Sequence, residues 1–253
     1  MKDLLAIVMM LGIYSLLSAS FFVAMDAVDV AFTEAAVGAG ISTLLMLVAI
    51  TMTGRSEYPA RHKPLLALVV VVITGSLLIY GTLDMPYFGS AEAPIHQHVA
   101  PRYINDSMQE IGVPNIVTSV LASYRAFDTF GEVVVIFTAG MGVLALLLVA
   151  RRPEDIEKSD SFNHSMHEQH LILRIVTKML IPFILLFAFY VQFHGDFGPG
   201  GGFQAGVIFA SAIFLYVMLF GMSTARRVIN QSFIQILAAS GVLLYGSVGV
   251  VSL

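Results

Sequence analysis

Long apolar runs decide what this chain can fold into. They lie near Leu4–Ala24, Val30–Thr53, Leu65–Leu83, Val133–Ala150, Leu171–Phe193 and Phe203–Gly221, with a last one from Phe233 to the end. About 20 apolar residues cross a bilayer core as a helix. The runs lack the strict alternation of barrel strands, and in lipid even the Val- and Ile-rich third run must satisfy its backbone as a helix. The charged fraction is 12%, about half that of a soluble domain. The expected fold is therefore an all-α integral membrane protein with about seven transmembrane helices in two modules. The chain has no cysteine, which excludes disulfides and thiolate metal sites.

The first run is read as a retained span. Ser18-Ala19-Ser20 resembles a cleavage site, but the apolar run continues through Phe21, Phe22 and Val23, and Asp3 offsets Lys2. Asp26 and Asp29 precede the second span, with Asp29 and Thr33 as candidate helix-start residues. Glu34 lies over one turn inside that span and is followed by a long uncharged run. Facing lipid it is costly; facing a helix or a water-filled path it can relay a proton or a cation. Gly38 and Gly40 thin the same helix and permit close packing.

A short basic loop, residues 54–64, leads to the third span. The polar stretch 84–112 follows and carries His96 and His98. An isolated His-x-His pair is a weak metal signal. From Val113 to Ala150 the chain is mostly apolar, too long for one straight crossing. Pro114–Tyr124 is therefore expected to lie at the interface or to pack as a half-helix, with Pro114 in a first helical turn. In RAFDTFGE, helical spacing would put Arg125, Asp128 and Glu132 on one face. The alternative reading is a helix start, with Asp128 or Thr129 as cap and Glu132 in the first turn.

Residues 151–170 form the clearest linker, with His164, His167 and His170 recurring every third residue. Domain organisation is accordingly 1–150, 151–170 as a cytoplasmic linker, and 171–253. Pro182 should kink the fifth span. HGDFGPGGGFQAG, residues 194–206, makes a tight connection in which Gly202 and Gly206 form a candidate packing pair. Irregular backbone at membrane depth is otherwise tolerated where it packs in protein or lines a water path, with His194 and Asp196 at its mouth. A basic turn at Arg226-Arg227 precedes the seventh span.

Seven crossings with the N-terminus inside place eleven of the thirteen Lys and Arg residues on the inner side, as the positive-inside rule requires. Asp26, Asp29, Asp128, His194 and Asp196 then lie toward the outer side, with Glu34 and Glu132 just within the membrane. No serine–histidine, paired-aspartate or HExxH arrangement lies in the spans, so an enzyme is not expected.

Three stretches in order resemble a known family. DAVDVAFTEAAVGAG is similar to the small membrane protein beside the antiporter-like proteins of membrane-bound hydrogenases, and to the C-terminal part of the large A component of Mrp antiporters. VPNIVTSVLASYRAFDTFGEVVVIFTAGMGVLAL resembles the module that follows it. FHGDFGPGGGFQAGVIFASAIFLYVMLFG resembles the B component of Mrp-type multisubunit sodium/proton antiporters. The resemblance implies a fusion of the C-terminal modules of the A component with the B component, in a bacterial cytoplasmic membrane, N-terminus cytoplasmic. It implies a complex exchanging Na+ for H+ without a cofactor, with partners that include large complex I-like antiporter subunits and no nucleic acid. Carried over by motif, Asp26, Asp29, Glu34, Asp128, Glu132, His194 and the Gly200, Gly201, Gly202 turn are the positions implicated. A structural subunit held by carboxylate pairing, or an arm of a respiratory hydrogenase-like complex, are the competing expectations.

Overall fold

The computed structural model describes residues 3–56, 64–87, 89–150 and 171–251. The 151–170 linker, its three histidines and the basic residues Arg61, Lys63, Arg151, Arg152 and Lys158 lie outside the described residues. Among the described residues, seven helices are long and apolar enough to cross a membrane, and every named element is helical.

Helix α1 (Leu4–Ala24) starts at Asp3, whose carboxylate accepts from the Leu5 amide. A tight turn with Asp26 at φ 58° reverses the chain. α2 (Val28–Glu34), a π-helical segment (Ala35–Ser42) and α3 (Thr43–Thr53) then return as one span. Arg55 closes this hairpin on Asp3 at 2.7 Å. The two arms interlock through glycine notches. A Cβ on Gly12 would stand 2.9 Å from Thr43 Oγ1, and one on Gly38 2.6 Å from Ser15 Oγ. Gly38 thus gives the close packing its residue type foretold.

α4 (Pro64–Thr82) buries no residue within the chain. An all-apolar helix without buried positions is covered by lipid or by another subunit. The 84–112 stretch folds into short helices α5 (Pro94–Gln97), α6 (Val99–Asn105) and α7 (Ser107–Glu110). α8 (Ile116–Ser119) and a second π-helical segment (Val120–Tyr124) follow, and Arg125 breaks the path at φ −122°, ψ 32° before α9 (Ala126–Ala150).

Three expectations are corrected here. Pro114 lies outside the helix, because Asn115 caps α8 by accepting from Val117 N. Arg125, at the break, does not share a helix face with Asp128 and Glu132. Neither Asp128 nor Thr129 starts α9: Asp128 pairs with Arg125, and Thr129 Oγ1 donates to Leu121 O.

α10 (Leu171–His194) runs through Pro182, and α11 (Gly202–Val228) returns against it. Buried Ala188, Val191, Ala205 and Ala212 let the pair approach closely. Phe189 meets Phe209 edge-on at 5.8 Å. Arg226 and Arg227 sit in the last turn of α11 rather than in a loop, and Gly221 at φ 79° takes the non-helical step instead. The packing pair Gly202/Gly206 is also corrected: a Cβ on Gly206 would meet open space. α12 (Gln231–Val251) packs on α9 through parallel Phe130 and Tyr245 rings, 6.0 Å apart.

Outside the spans, α6, α7 and the second π-helical segment are clamped together. Arg102 Nη2 lies 3.0 Å from Glu110 Oε1, the Tyr124 hydroxyl donates to Glu110, and Tyr103 packs on the Tyr124 ring. The Tyr124 hydroxyl, then Arg102, hold the Glu110 carboxyl below the usual range, and Glu110 pushes the Tyr124 hydroxyl up. A lowered carboxyl stabilises the clamp above its ordinary range and loses that as pH falls through the folded value. A raised phenol stabilises it below its ordinary value and loses that as pH rises through the folded one. Hydrogen-exchange protection over residues 94–124, taken against the intrinsic exchange rate at each pH, is therefore expected to be greatest near neutral pH and to fall at both extremes. Tyr124→Phe should remove the alkaline limb; an unchanged limb would dissociate it from Tyr124.

Candidate functional site

The glycine-rich loop after α10 is the point where distant parts of the chain meet. Its backbone turns so tightly that a Cβ on Gly200 would stand 2.5 Å from Val191 O, and one on Gly195 2.9 Å from Gly201 N. Gly201 adopts φ 114°, ψ 180°, which side-chain-bearing residues avoid. Gly202 is the first residue of α11. The carbonyls exposed by this turn are taken up from α8. Asn115 Nδ2 donates to Gly195 O (3.3 Å) and Gly198 O (3.1 Å), Thr118 Oγ1 donates to Gly195 O (2.6 Å), and Asn115 N donates to Asp196 O (3.1 Å).

On its other side the loop meets α2. Gly200 N donates to Asp29 Oδ1 at 3.3 Å, and buried Gln204 Nε2 donates to Thr33 Oγ1 at 2.7 Å. Neither Asp29 nor Thr33 caps α2, whose N-cap is Ala27; Asp29 does stand in its first turn, where it ties the second span to the glycine loop, while Thr33 ties it to the sixth span. One residue further, Glu34 turns into its own chain. A Cβ on Gly38 would stand 2.5 Å from Glu34 Oε1, on the same notch that receives Ser15 of α1. Glu34 is half-buried and faces α1, which answers the cost of a carboxylate in lipid. Hydrogen bonds thus join Gly200 to Asp29 and Gln204 to Thr33, and Glu34 and Ser15 flank the Gly38 notch beside them, forming a polar seam.

His194 stacks on Tyr190 with ring centroids 5.0 Å apart. With Ser20, Phe32 and Pro199 it lines an open, mainly apolar cleft of 480 Å³ between α1, α2 and α10. The remaining residues stand apart from the seam. Asp26 is exposed in the first turn of chain reversal, Asp196 contributes only its backbone carbonyl, and Asp128 is paired with Arg125. Glu132 is exposed on α9 and, among the described residues, makes no hydrogen bond or ion pair. No three His, Asp or Glu side chains gather for a metal among the described residues.

Ser15, Thr33 as a relay partner, Asn115, Thr118 and Gln204 escape sequence reading. A lone Ser, Thr or Gln in a span carries no spacing signal, and only tertiary pairing gives it meaning. The π-helical segments are likewise silent, since an i→i+5 bond changes geometry and not composition.

Comparison with known families divides the chain into three matched stretches. Residues 1–55 match the MbhD family and residues 65–163 the MbhE family, both described as MBH subunits. Residues 172–253 match the domain related to the MnhB subunit of Na+/H+ antiporters. The chain belongs to the family of Mrp- and MBH-type membrane subunits. It is an MbhD-, MbhE- and MnhB-related fusion. It is 25% identical over 234 residues to a probable K+/H+ antiporter A/B component of Rhizobium meliloti, covering 85% of this chain and 23% of that one. It is 40% identical over 88 residues to the Na+/H+ antiporter B component of Bacillus subtilis, covering 34% and 61%. The chain thus spans less than two thirds of either relative. Its fold matches a chain of the Mrp complex from Dietzia sp. DQ12-45-1b, with TM-score 0.71, 24% identity, and coverage of 96% of this chain and 26% of that one. A chain of the membrane-bound sulfane sulfur reductase, an archaeal respiratory membrane complex, matches with TM-score 0.54, 31% identity and 75% coverage of each. In this Mrp/MBH-type chain the glycine loop and the seam together join all three stretches: Asp29, Thr33 and Glu34 are MbhD-related, Asn115 and Thr118 MbhE-related, the glycine loop and Gln204 MnhB-related.

Proposed function

We propose that the chain is a membrane subunit of a multisubunit monovalent cation/proton antiporter and supplies part of an ion or proton path. The polar seam carries this reading. An apolar span keeps Glu34 against its own α1, and ionisable groups inside spans mark ion pathways. Glu34, Asp29 and Thr33 with Gln204 form the path proper, and His194, Asp26 and Asp196 lie about its mouth. Asp128 and Glu132, away from the seam, would join the path through a neighbouring subunit. The large complex I-like antiporter subunits are the natural partners, with α4 and the outer faces of the spans as the docking surface. H+ and Na+ are the ions, with K+ the alternative that the Rhizobium relative's name raises. The N-terminus is placed in the cytoplasm, residues 1–150 and 171–253 as the two modules, and 151–170 as a cytoplasmic linker, as the distribution of Lys and Arg supports. The role is transport, not catalysis.

A second reading, an arm of a respiratory complex, draws on the 31% identity to the sulfane sulfur reductase chain. Everted vesicles carrying the whole complex separate the possibilities. Collapse of an imposed pH gradient on adding Na+ or K+, lost when Asp29, Glu34 and Glu132 are all amidated in an intact complex, supports the antiporter path. A complex that falls apart on a native gel makes the carboxylates structural instead. A complex that never exchanges cations supports the respiratory arm.

A further inference from the structure

The notch at Gly38 has more in it than helix packing. Glu34 Oε1 and Ser15 Oγ converge there from two different helices, filling the place where a side chain of residue 38 would stand. Ser15 is buried, at 6% exposure. Glu34 is six residues beyond the start of α2 and Ser15 nine residues before the end of α1. At 1.5 Å per residue the pair lies about 9 to 14 Å below the turn joining the helices. The π-helical segment opens directly after Glu34. The Gly38 carbonyl that it turns outward is occupied, because Thr43 Oγ1 donates to it at 3.1 Å.

This oxygen set suits a proton and not a bare cation. A hard cation stripped of water needs about six oxygens, and here one carboxylate oxygen and one hydroxyl flank a single notch, not hydrogen-bonded to each other, with the nearby carbonyl already bonded. A protonated carboxyl has one donor, and a hydroxyl is one acceptor for it. We propose that Glu34 and Ser15 form a proton-holding site between the first two helices, and that Gly38 is the positioning residue that makes room for it. The proton enters and leaves on the Glu34 carboxyl, and Ser15 changes no charge. The inference rests on the reading of Glu34 as part of the ion path. The other titratable or charged side chains of the packed elements are Asp29 on α2 itself, Asp3 and Tyr14 on the α1 side, Tyr216, Arg226 and Arg227 on α11, and Arg174, Lys178, Tyr190 and His194 across the cleft on α10. Asp3 is already paired with Arg55.

The test uses the whole complex in everted vesicles and dicyclohexylcarbodiimide, which attaches to protonated carboxyls in apolar sites. Adduct on Glu34 is read by peptide mass spectrometry, and cation/proton exchange on the same vesicles. Wild-type Glu34 is expected to label at a rate unaffected by NaCl or KCl. Gly38→Ala, which fills the notch, should lower both labelling and exchange by up to about a hundredfold, the scale of a reacting group misplaced by about 1 Å. Gly12→Ala is the control: it crowds Thr43 in the same helix pair, where a Cβ would come within 2.9 Å, but leaves the carboxyl in place and should keep labelling. Absence of wild-type labelling, slowing by either salt, or a Gly38→Ala variant that labels and exchanges like Gly12→Ala overturns the proposal. If instead Glu34→Gln exchanges at the wild-type rate, the underlying reading of Glu34 fails, whatever the labelling shows.

Discussion

Gly200→Ala should cost the complex most of its stable assembly. The added methyl group would stand 2.5 Å from the Val191 carbonyl and 3.2 Å from Gly195 N. Both are backbone atoms, so no rotamer relieves the clash. Overpacking of this kind costs about 1–3 kcal/mol and more where backbone must shift. Here the shift also moves Gly200 N from Asp29 and the Gly195 and Gly198 carbonyls from Asn115. The midpoint of thermal unfolding of the detergent-purified complex, followed by loss of this subunit on a native gel, measures it. Gly206→Ala, four residues on from Gly202 and facing open space, is expected to leave the midpoint unchanged. Equal loss from both would mean that the loop is not the joint described.

Asn115→Asp is the second large effect, and its chemistry is selective. The carboxylate keeps the acceptor for Val117 N and so preserves the α8 cap. It has no donor for the Gly195 and Gly198 carbonyls and places negative charge against them. Gly195 O keeps the Thr118 hydroxyl, but Gly198 O loses its donor, and leaving a part-buried acceptor unpaired costs about 1–3 kcal/mol. The expected result is a destabilised joint between the α8 region and the loop, with α8 itself still formed. Hydrogen exchange should rise in residues 194–201 and stay low in 116–119. A rise confined to 116–119 would show that Asn115 acts as a cap alone.

Much of this was open to a reader of the sequence, for physical reasons that differ by element. The seven spans were legible because length and continuous apolarity are properties of a local window; the first was placed at Leu4–Ala24 as it is observed. Helix ends were less so. Ala126 begins α9 seven residues before its apolar run, because Asp128 is tolerated in the opening turn; Glu132, expected in that turn, stands in the second. Glu34 stood out as a charge inside a span, yet the notch it occupies is completed by Ser15 of α1, which reaches Gly38 only when the hairpin closes on Asp3 and Arg55. The glycine loop was visible as a turn. That Asn115 holds its carbonyls across 80 residues of chain was not, since a single Asn has no pattern to read. The grouping of Arg125, Asp128 and Glu132 failed because a π-helical segment ends at Arg125 and takes it off the helix.

The most direct measurement is cation/proton exchange by the whole complex in everted vesicles with the single substitution Glu34→Gln. Glu132→Gln is run beside it, and a native gel on the same membranes establishes assembly. With Glu34 set between α1 and α2 inside the seam, exchange should fall by about two orders of magnitude, the scale of a removed proton carrier, while the complex remains intact. Wild-type exchange in an intact Glu34→Gln complex would contradict the account and leave the seam a structural joint between the MbhD- and MnhB-related parts.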